Sequence, residues 1–257
     1  MKAVKARILQ NQFGYAINTQ GGLLSHILSW IGPLKEIVGR SVVYLKASDR
    51  GCLLDVGCGN GRFLAQMREL GWEVMGVEPD SEAARIARKR FGLDVFQGTL
   101  EEAKFPDNSF DAITMNHVIE HVPDPIGLLA ECRRILKPDG KMVMVTPNIQ
   151  SLGRYLFGKA WLHWDPPRHL VLFSPKSLRA CAERAGLRVR SLWTTSKGAC
   201  FIWTASRLIR RDGKLLRGTP QRPSLWLKLE GLAFWAVEYL LCLARNLGEE
   251  IVLEAVK

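Results

Sequence analysis

The stretch "LLDVGCGNG", residues 53–61, decides the fold. An apolar run ends at Asp55-Val56 and gives way to Gly57-x-Gly59-x-Gly61, after which "GRFLAQMREL" has helical spacing. Glycines permit a tight turn and a close approach of backbone to ligand, and the first turn of the following helix offers unpaired N–H groups. A second apolar run, "EVMGVE", ends at Glu78, about twenty positions on, where a carboxylate can accept both hydroxyls of a ribose. Strand, glycine turn, helix, strand and terminal acid in this order predict a nucleotide-binding unit. The spacing is not the G-x-G-x-x-G of dinucleotide binders.

Working outward, short apolar runs alternate with longer amphipathic ones over residues 51–147. "SEAARIARKRF" reads as a helix, "LDVFQG" and "FDAITM" as strands, "DPIGLLAECRRIL" as a helix ended by a turn at "KPDG", and "KMVMVTP" as a strand. Such alternation predicts an α/β fold: a doubly wound parallel sheet covered on both faces. Residues 1–50 form an N-terminal helical segment, 51–197 the core, 198–247 a basic and apolar helical hairpin inserted into it, and 248–257 a final strand, with "EEIVLEAVK" alternating as an edge strand does. Within the core, residues 148–173 are rich in aromatics, Gly and Pro and read as a long loop.

The motif D-V-G-C-G-x-G resembles the first motif of the class I S-adenosylmethionine-dependent methyltransferases. The likeness extends through "GVEPD", "FPDNSFDAITMNHVIEHVPDP", "LLAECRRILKPDGKMVMVTPN" and "HLVLFSPKSLRACAERAGL". These match the branch holding ubiquinone-biosynthesis O-methyltransferases and many cell-envelope methyltransferases. The resemblance implies a Rossmann-like seven-stranded sheet, mostly parallel with an antiparallel last strand. It also implies S-adenosylmethionine as cofactor. By position, Asp55, Gly57 and Gly59 would hold the methionine part, Glu78 the ribose, and Pro79 and Asp80 would flank the adenine. Gly98, Thr99 and Leu100 would sit at the adenine edge, and Asn116 near the methionine amino group. The family often has Asp where Thr99 stands.

"NHVIEHVPDP", residues 116–125, follows the fourth strand at the edge where such sheets bind ligands. Three readings stay open for His117, Glu120 and His121. They could hold a divalent ion together with His169, since some relatives use E-x-x-E-H plus a later His, and positions i, i+3 and i+4 share a helical face. His117 replaces the first Glu of that pattern and makes an oxygen-seeking ion such as magnesium less suited. Alternatively His121 or His117 is a general base without metal. The third reading is the packed start of a helix. In "WDPPRHL" the Asp-Pro-Pro lies after the fifth strand and lacks the aromatic that base-methylating enzymes need. Pro166 and Pro167 could simply fix a rigid turn, but a long aromatic loop beside the active edge reads better as a lid over residues 148–173, with Trp161, Trp164, Arg168 and His169 as candidate substrate contacts.

The net charge is +11, and the six cysteines show no paired spacing, which fits a reduced, cytoplasmic compartment. The N-terminus has no apolar core of a signal peptide. Arg207, Arg210, Arg211, Lys214, Arg217, Arg222 and Lys228 lie beside a Trp-rich apolar stretch interrupted by Glu230 and Glu238. That combination fits an interfacial helix on an anionic membrane surface better than a bilayer span. Self-packing or dimer formation would explain it equally, and RNA binding less well. The expected function is methyl transfer to oxygen on a small or lipid-linked acceptor. The rivals are an RNA methyltransferase and a non-catalytic cofactor-binding partner at the membrane.

Overall fold

The computed structural model describes residues 2–17, 22–213 and 224–257. Three helices come first: α1 (Lys2–Phe13), α2 (Leu23–Leu28) and α3 (Gly32–Ser41). Strand and helix then alternate through β1 (Cys52–Val56), α4 (Arg62–Glu69), β2 (Glu73–Glu78), α5 (Ser81–Phe91), β3 (Asp94–Gln97), α6 (Leu100–Ala103), β4 (Phe110–Asn116), α7 (Pro125–Ile135) and β5 (Leu136–Pro147). There follow α8 (Leu152–Phe157), α9 (Pro175–Arg184), β6 (Arg188–Thr195), the helix pair α10 (Ala199–Asp212) and α11 (Leu225–Arg245), and β7 (Glu250–Val256). Lys214, Arg217 and Arg222 of the basic run lie outside the described residues.

The seven strands form one sheet in the order β3-β2-β1-β4-β5-β7-β6. The pairs from β3 to β5 are parallel, and β7 runs antiparallel to both its neighbours. The doubly wound α/β sheet is as expected, but β7 is no edge strand. It lies between β5 and β6, and its first four residues are all buried. The expected turn at "KPDG" is drawn into β5, whose register with β4 slips between Phe110 and Ala112. Such a bulge takes up extra residues without ending the strand.

Neighbouring strand residues point to opposite faces, and each face builds its own core. Leu54, Ile113, Met144 and Leu253 pack with Leu128 of α7 and Leu178 of α9. Leu53, Val143 and Val252 pack with Ile8 of α1, Val38 of α3, Leu64 of α4 and Ala84 of α5. The N-terminal helices thus share a core with the sheet. Trp72 donates its indole N–H to the Tyr15 hydroxyl at 3.0 Å, and Tyr15 donates to the Leu45 carbonyl at 3.1 Å, fastening that segment.

Residues 148–173 are more ordered than a loop. They hold α8 and two 3-10 turns, Gly158–Ala160 and Leu162–Trp164. Phe157 and Trp161 pack there against Ile202 of α10.

Candidate active site

The glycine loop at the carboxyl end of β1 folds back because the Gly57 and Cys58 N–H groups donate to the Val77 carbonyl at 2.8 and 3.1 Å. Gly57 has φ +71°, and a Cβ there would lie 2.4 Å from Val118 Cγ2. The turn after β4 therefore crosses directly over this glycine. Glu78 at the end of β2 accepts from the Gly59 N–H at 2.7 Å and from the Asp80 N–H at 2.9 Å. Each carboxylate oxygen has a second lone pair left for a ribose hydroxyl. Asp80 also caps α5 by accepting from the Ala83 N–H at 2.8 Å. Pro79 lies between them at the mouth of the sheet.

Asp55 is buried and accepts from the Thr114 hydroxyl at 2.7 Å. Burial pushes its carboxyl up to about 7 despite that bond. It lines a cleft of about 460 Å³ with Gly57, Gly59, Asn116, Arg40 and Lys197. The two cations come from α3 and from the loop after β6, outside any motif. Burial, and then the charge of Arg40, lower the Lys197 pKa. One carboxylate and two cations lining the same cleft suit the ammonium and carboxylate of an amino acid.

Gly98, Thr99 and Leu100 sit where β3 ends beside β2, with the Gly98 N–H donating to the Glu78 carbonyl at 3.1 Å. Thr99 caps α6: its hydroxyl accepts from the Glu102 N–H while its own N–H donates to the Glu102 carboxylate. Leu100 is buried.

"HVIEH" is not the first turn of an α-helix. His117 has φ +55°, a 3-10 turn covers Ile119–His121, and α7 starts only at Pro125, capped by Asp124. The shared helical face expected for His117, Glu120 and His121 is therefore absent. Instead, His117 Nδ1 lies 3.0 Å from Glu120 Oε1 and its Nε2 lies 2.9 Å from Glu250 Oε1. Glu120 also accepts from the Thr146 hydroxyl at 2.9 Å. Arg40 Nε donates to Glu250 at 3.1 Å, and its guanidinium reaches Asn116 Oδ1.

A ring with a carboxylate on each nitrogen must donate from both, which only the imidazolium does. Burial would lower its pKa, but the bonds to Glu120 and Glu250 outweigh that and push His117 up to about 9. For Glu250, burial is likewise outweighed by Arg40 and His117, and its carboxyl is held well below the usual range.

His121 differs. It is exposed, and its Nδ1 lies 2.8 Å from the Arg168 carbonyl, which can only accept. Nδ1 therefore carries the proton and Nε2 the lone pair in the neutral ring. His169 likewise places Nδ1 2.6 Å from the His163 carbonyl. The rings of His121 and His169 are 4.7 Å apart, those of His169 and His163 6.2 Å, and those of His163 and His117 5.9 Å. Four of the five histidines of the chain thus form one row. His163 had no motif to announce it. Burial, reinforced by the neighbouring His117, pushes it down to about 3.

Glu120, His121 and His169 place donor atoms within 4.8 Å of one another. His117 is not in that group, because its two nitrogens are taken by Glu120 and Glu250, so the four-ligand set expected from sequence does not form. Glu120 also has both oxygens already bonded, to His117 and Thr146.

Among the expected lid contacts, Trp161 is 1% exposed and donates its indole N–H to Glu249 at 2.7 Å. It is a buried support, not a substrate contact. Trp164 donates to the Gly158 carbonyl at 2.8 Å, and Arg168 pairs with Asp165. The Leu170 N–H returns to the Glu120 carbonyl at 2.8 Å, tying this segment to the turn after β4.

The methyltransferase-domain family model matches residues 32–192. A ubiquinone biosynthesis O-methyltransferase of Actinobacillus pleuropneumoniae is 36% identical over 116 residues, 40% of this chain and 48% of that protein. The match thus spans about half the length of that relative. Among solved structures, an S-adenosylmethionine-dependent methyltransferase of Archaeoglobus fulgidus superimposes with a TM-score of 0.54 at 23% identity, covering 81% of this chain and 86% of that one. Another from Mesorhizobium loti gives a TM-score of 0.57 at 16% identity, covering 88% and 100%. With the family model covering well over half of the sequence, the chain belongs to the methyltransferase-domain family, the class I methyltransferases that use S-adenosylmethionine.

Proposed function

We propose that the chain transfers the methyl group of S-adenosylmethionine to a hydroxyl oxygen of a small or lipid-linked acceptor, such as an envelope glycolipid, a polysaccharide precursor or a quinone-like phenol. The observation that carries this is the hydrogen bond that orients the His121 ring. Its Nδ1 is held by the Arg168 carbonyl, leaving Nε2 as a lone pair on a turn that crosses the glycine loop. A neutral imidazole so placed can take the proton of a hydroxyl as it attacks the methyl carbon. The name of the Actinobacillus relative supports oxygen as the acceptor atom.

In this reading Asp55 meets the cofactor ammonium, while Arg40 and Lys197 face its carboxylate. Glu78 accepts from the ribose, Pro79 and Asp80 flank the adenine, and Gly98, Thr99 and Leu100 form its edge. Asn116, steered by Arg40, lies at the methionine end. The sulfonium is already activated, so alignment supplies much of the rate. His121 acts as base, with His169 beside it. His117 is a fixed cation that shapes the turn. The site would be used at the cytoplasmic side, without a nucleic-acid partner.

The test is transfer of labelled methyl from S-adenosylmethionine to a whole-cell extract, separated into organic and aqueous phases, by the parent chain and by His121→Ala. Label in an oxygen-methylated small molecule or lipid, lost in the variant, supports the reading. Label in RNA, or on nitrogen, overturns it.

A further inference from the structure

We propose that the solvent-facing side of α11, together with α2, is a docking face for an anionic lipid surface. Leu225, Trp226, Leu229, Leu232, Leu240 and Leu243 of α11 are each 48–77% exposed. At about 100° per residue they fall on one broad face of a 21-residue helix, about 30 Å long at 1.5 Å per residue. The opposite side is the one that packs: Phe234 and Glu238 are buried, and Gly231 lies against Cys200 of α10. Tyr239 abuts Gly32, which joins α11 to the corner between α2 and α3. There α2 and its following turn add Leu23, Leu24, Ile27 and Trp30, all more than half exposed. Apolar faces of this extent on a monomer mark an interaction site.

Charge selects the occupant. Residues 198–247 hold eight Lys or Arg against three Asp or Glu. The three acids are spoken for: Glu238 is buried, Glu230 pairs with Arg207 at 3.2 Å, and Asp212 pairs with Arg211 at 2.7 Å. Among the described residues the exposed stripe of α11 carries Lys228 and no carboxylate. Lys35 lies 4.7 Å from the Trp30 ring, a cation at the rim of the α2 patch. A second copy of the chain would oppose this face with more cations. An anionic headgroup layer complements it, with leucines and indoles at the boundary and cations above.

Among the described residues no helix is long and apolar enough to cross a membrane, so the helix lies in the interface rather than spanning it. The partner helix α10 shares a hydrophobic cluster with Phe157 and Trp161. Docking would therefore hold the segment that reaches His121 next to the headgroups. The docking face stands whether or not the acceptor is a hydroxyl.

The experiment is flotation of the full chain with phosphatidylcholine vesicles, with and without phosphatidylglycerol, at low and high salt. Parent protein should float with the anionic vesicles and come off in high salt. The double variant Leu232→Glu/Leu240→Glu, and separately Lys228→Glu, should weaken binding by about tenfold or more. Calorimetric binding of S-adenosylhomocysteine to the same samples shows that the variants are folded. Absence of flotation, or flotation unchanged in both variants, overturns the proposal. A dimer in sedimentation that the double variant converts to monomer also overturns it, since the face then belongs to a second copy.

Discussion

His117 and Glu250 meet at 2.9 Å, joining the turn after β4 to the first residue of β7. Glu250 also holds Arg40, and both side chains of that pair are under 10% exposed. Glu250→Ala leaves Arg40 without its carboxylate and His117 with Glu120 alone. Breaking a buried pair in this way costs about 3–5 kcal/mol. Denaturant unfolding should show that loss, and calorimetry should show weaker cofactor binding, since Arg40 and Asn116 line the cleft. A variant as stable as the parent would remove Glu250 from its central position.

The two histidines of the turn should separate kinetically. His121→Ala should lower kcat by about 100-fold or more with cofactor affinity unchanged. His117→Ala should act mainly on stability and cofactor binding, because both its nitrogens are committed to carboxylates. Turnover should survive a chelator, because Glu120 already spends its oxygens on His117 and Thr146. Activity lost to the chelator and restored by a divalent ion would instead establish Glu120, His121 and His169 as ligands.

Cofactor binding should depend on pH through Asp55, whose burial pushes its carboxyl up to about 7. In the proposed reading the ammonium of the cofactor pairs with the ionised form. Above that value affinity is flat in this group. Below it a proton must leave on binding, and affinity should fall by up to about tenfold per pH unit. Asp55→Asn should bind more weakly and lose that slope. Calorimetry over a pH series decides.

Stability should fall as the solution becomes more alkaline. Glu238 is fully buried, and burial followed by the charge of Glu249 pushes it up to about 10. The unfolded chain releases this proton near the ordinary carboxylate value of 4.5, whereas the folded one retains it. The stabilising proton is therefore fully felt only below the unfolded value. The loss grows as pH rises toward the folded one. Melting temperatures across that window should decline, and Glu238→Gln should flatten the decline. His117, also raised, adds a slope of the same sign from the ordinary imidazole value of 6.5 up to about 9.

The nucleotide-binding half was legible because its signals are local. Glycines, a terminal acid and alternating periods sit within one continuous stretch. The strand β7 itself was legible, but its place inside the sheet was not, because Glu249, Glu250 and Glu254 look like a wet face. In the structure Glu249 is held by Trp161 and Ser151, Glu250 by Arg40 and His117, and Glu254 lies 3.5 Å from Lys141. A strand covered on both sides can carry carboxylates when partners arrive from distant segments, and no period reveals them. Arg40 and Lys197 escaped notice for the same reason. Trp161 misled in the opposite direction, since an aromatic in a Gly/Pro-rich segment reads as surface, yet Glu249 satisfies its indole inside.

The placement of β7 also sets an order of assembly. It slots between β5 and β6 only after the chain has travelled through α10 and α11 and returned. Pairings across such separations close large loops and form late. Glu250 arrives with them. The Arg40 side of the cleft, which Glu250 holds, should therefore be the last part of it to become organised as the chain folds. Cofactor added to refolding protein should be captured in the slowest phase, while the β1–β4 framework matures without it.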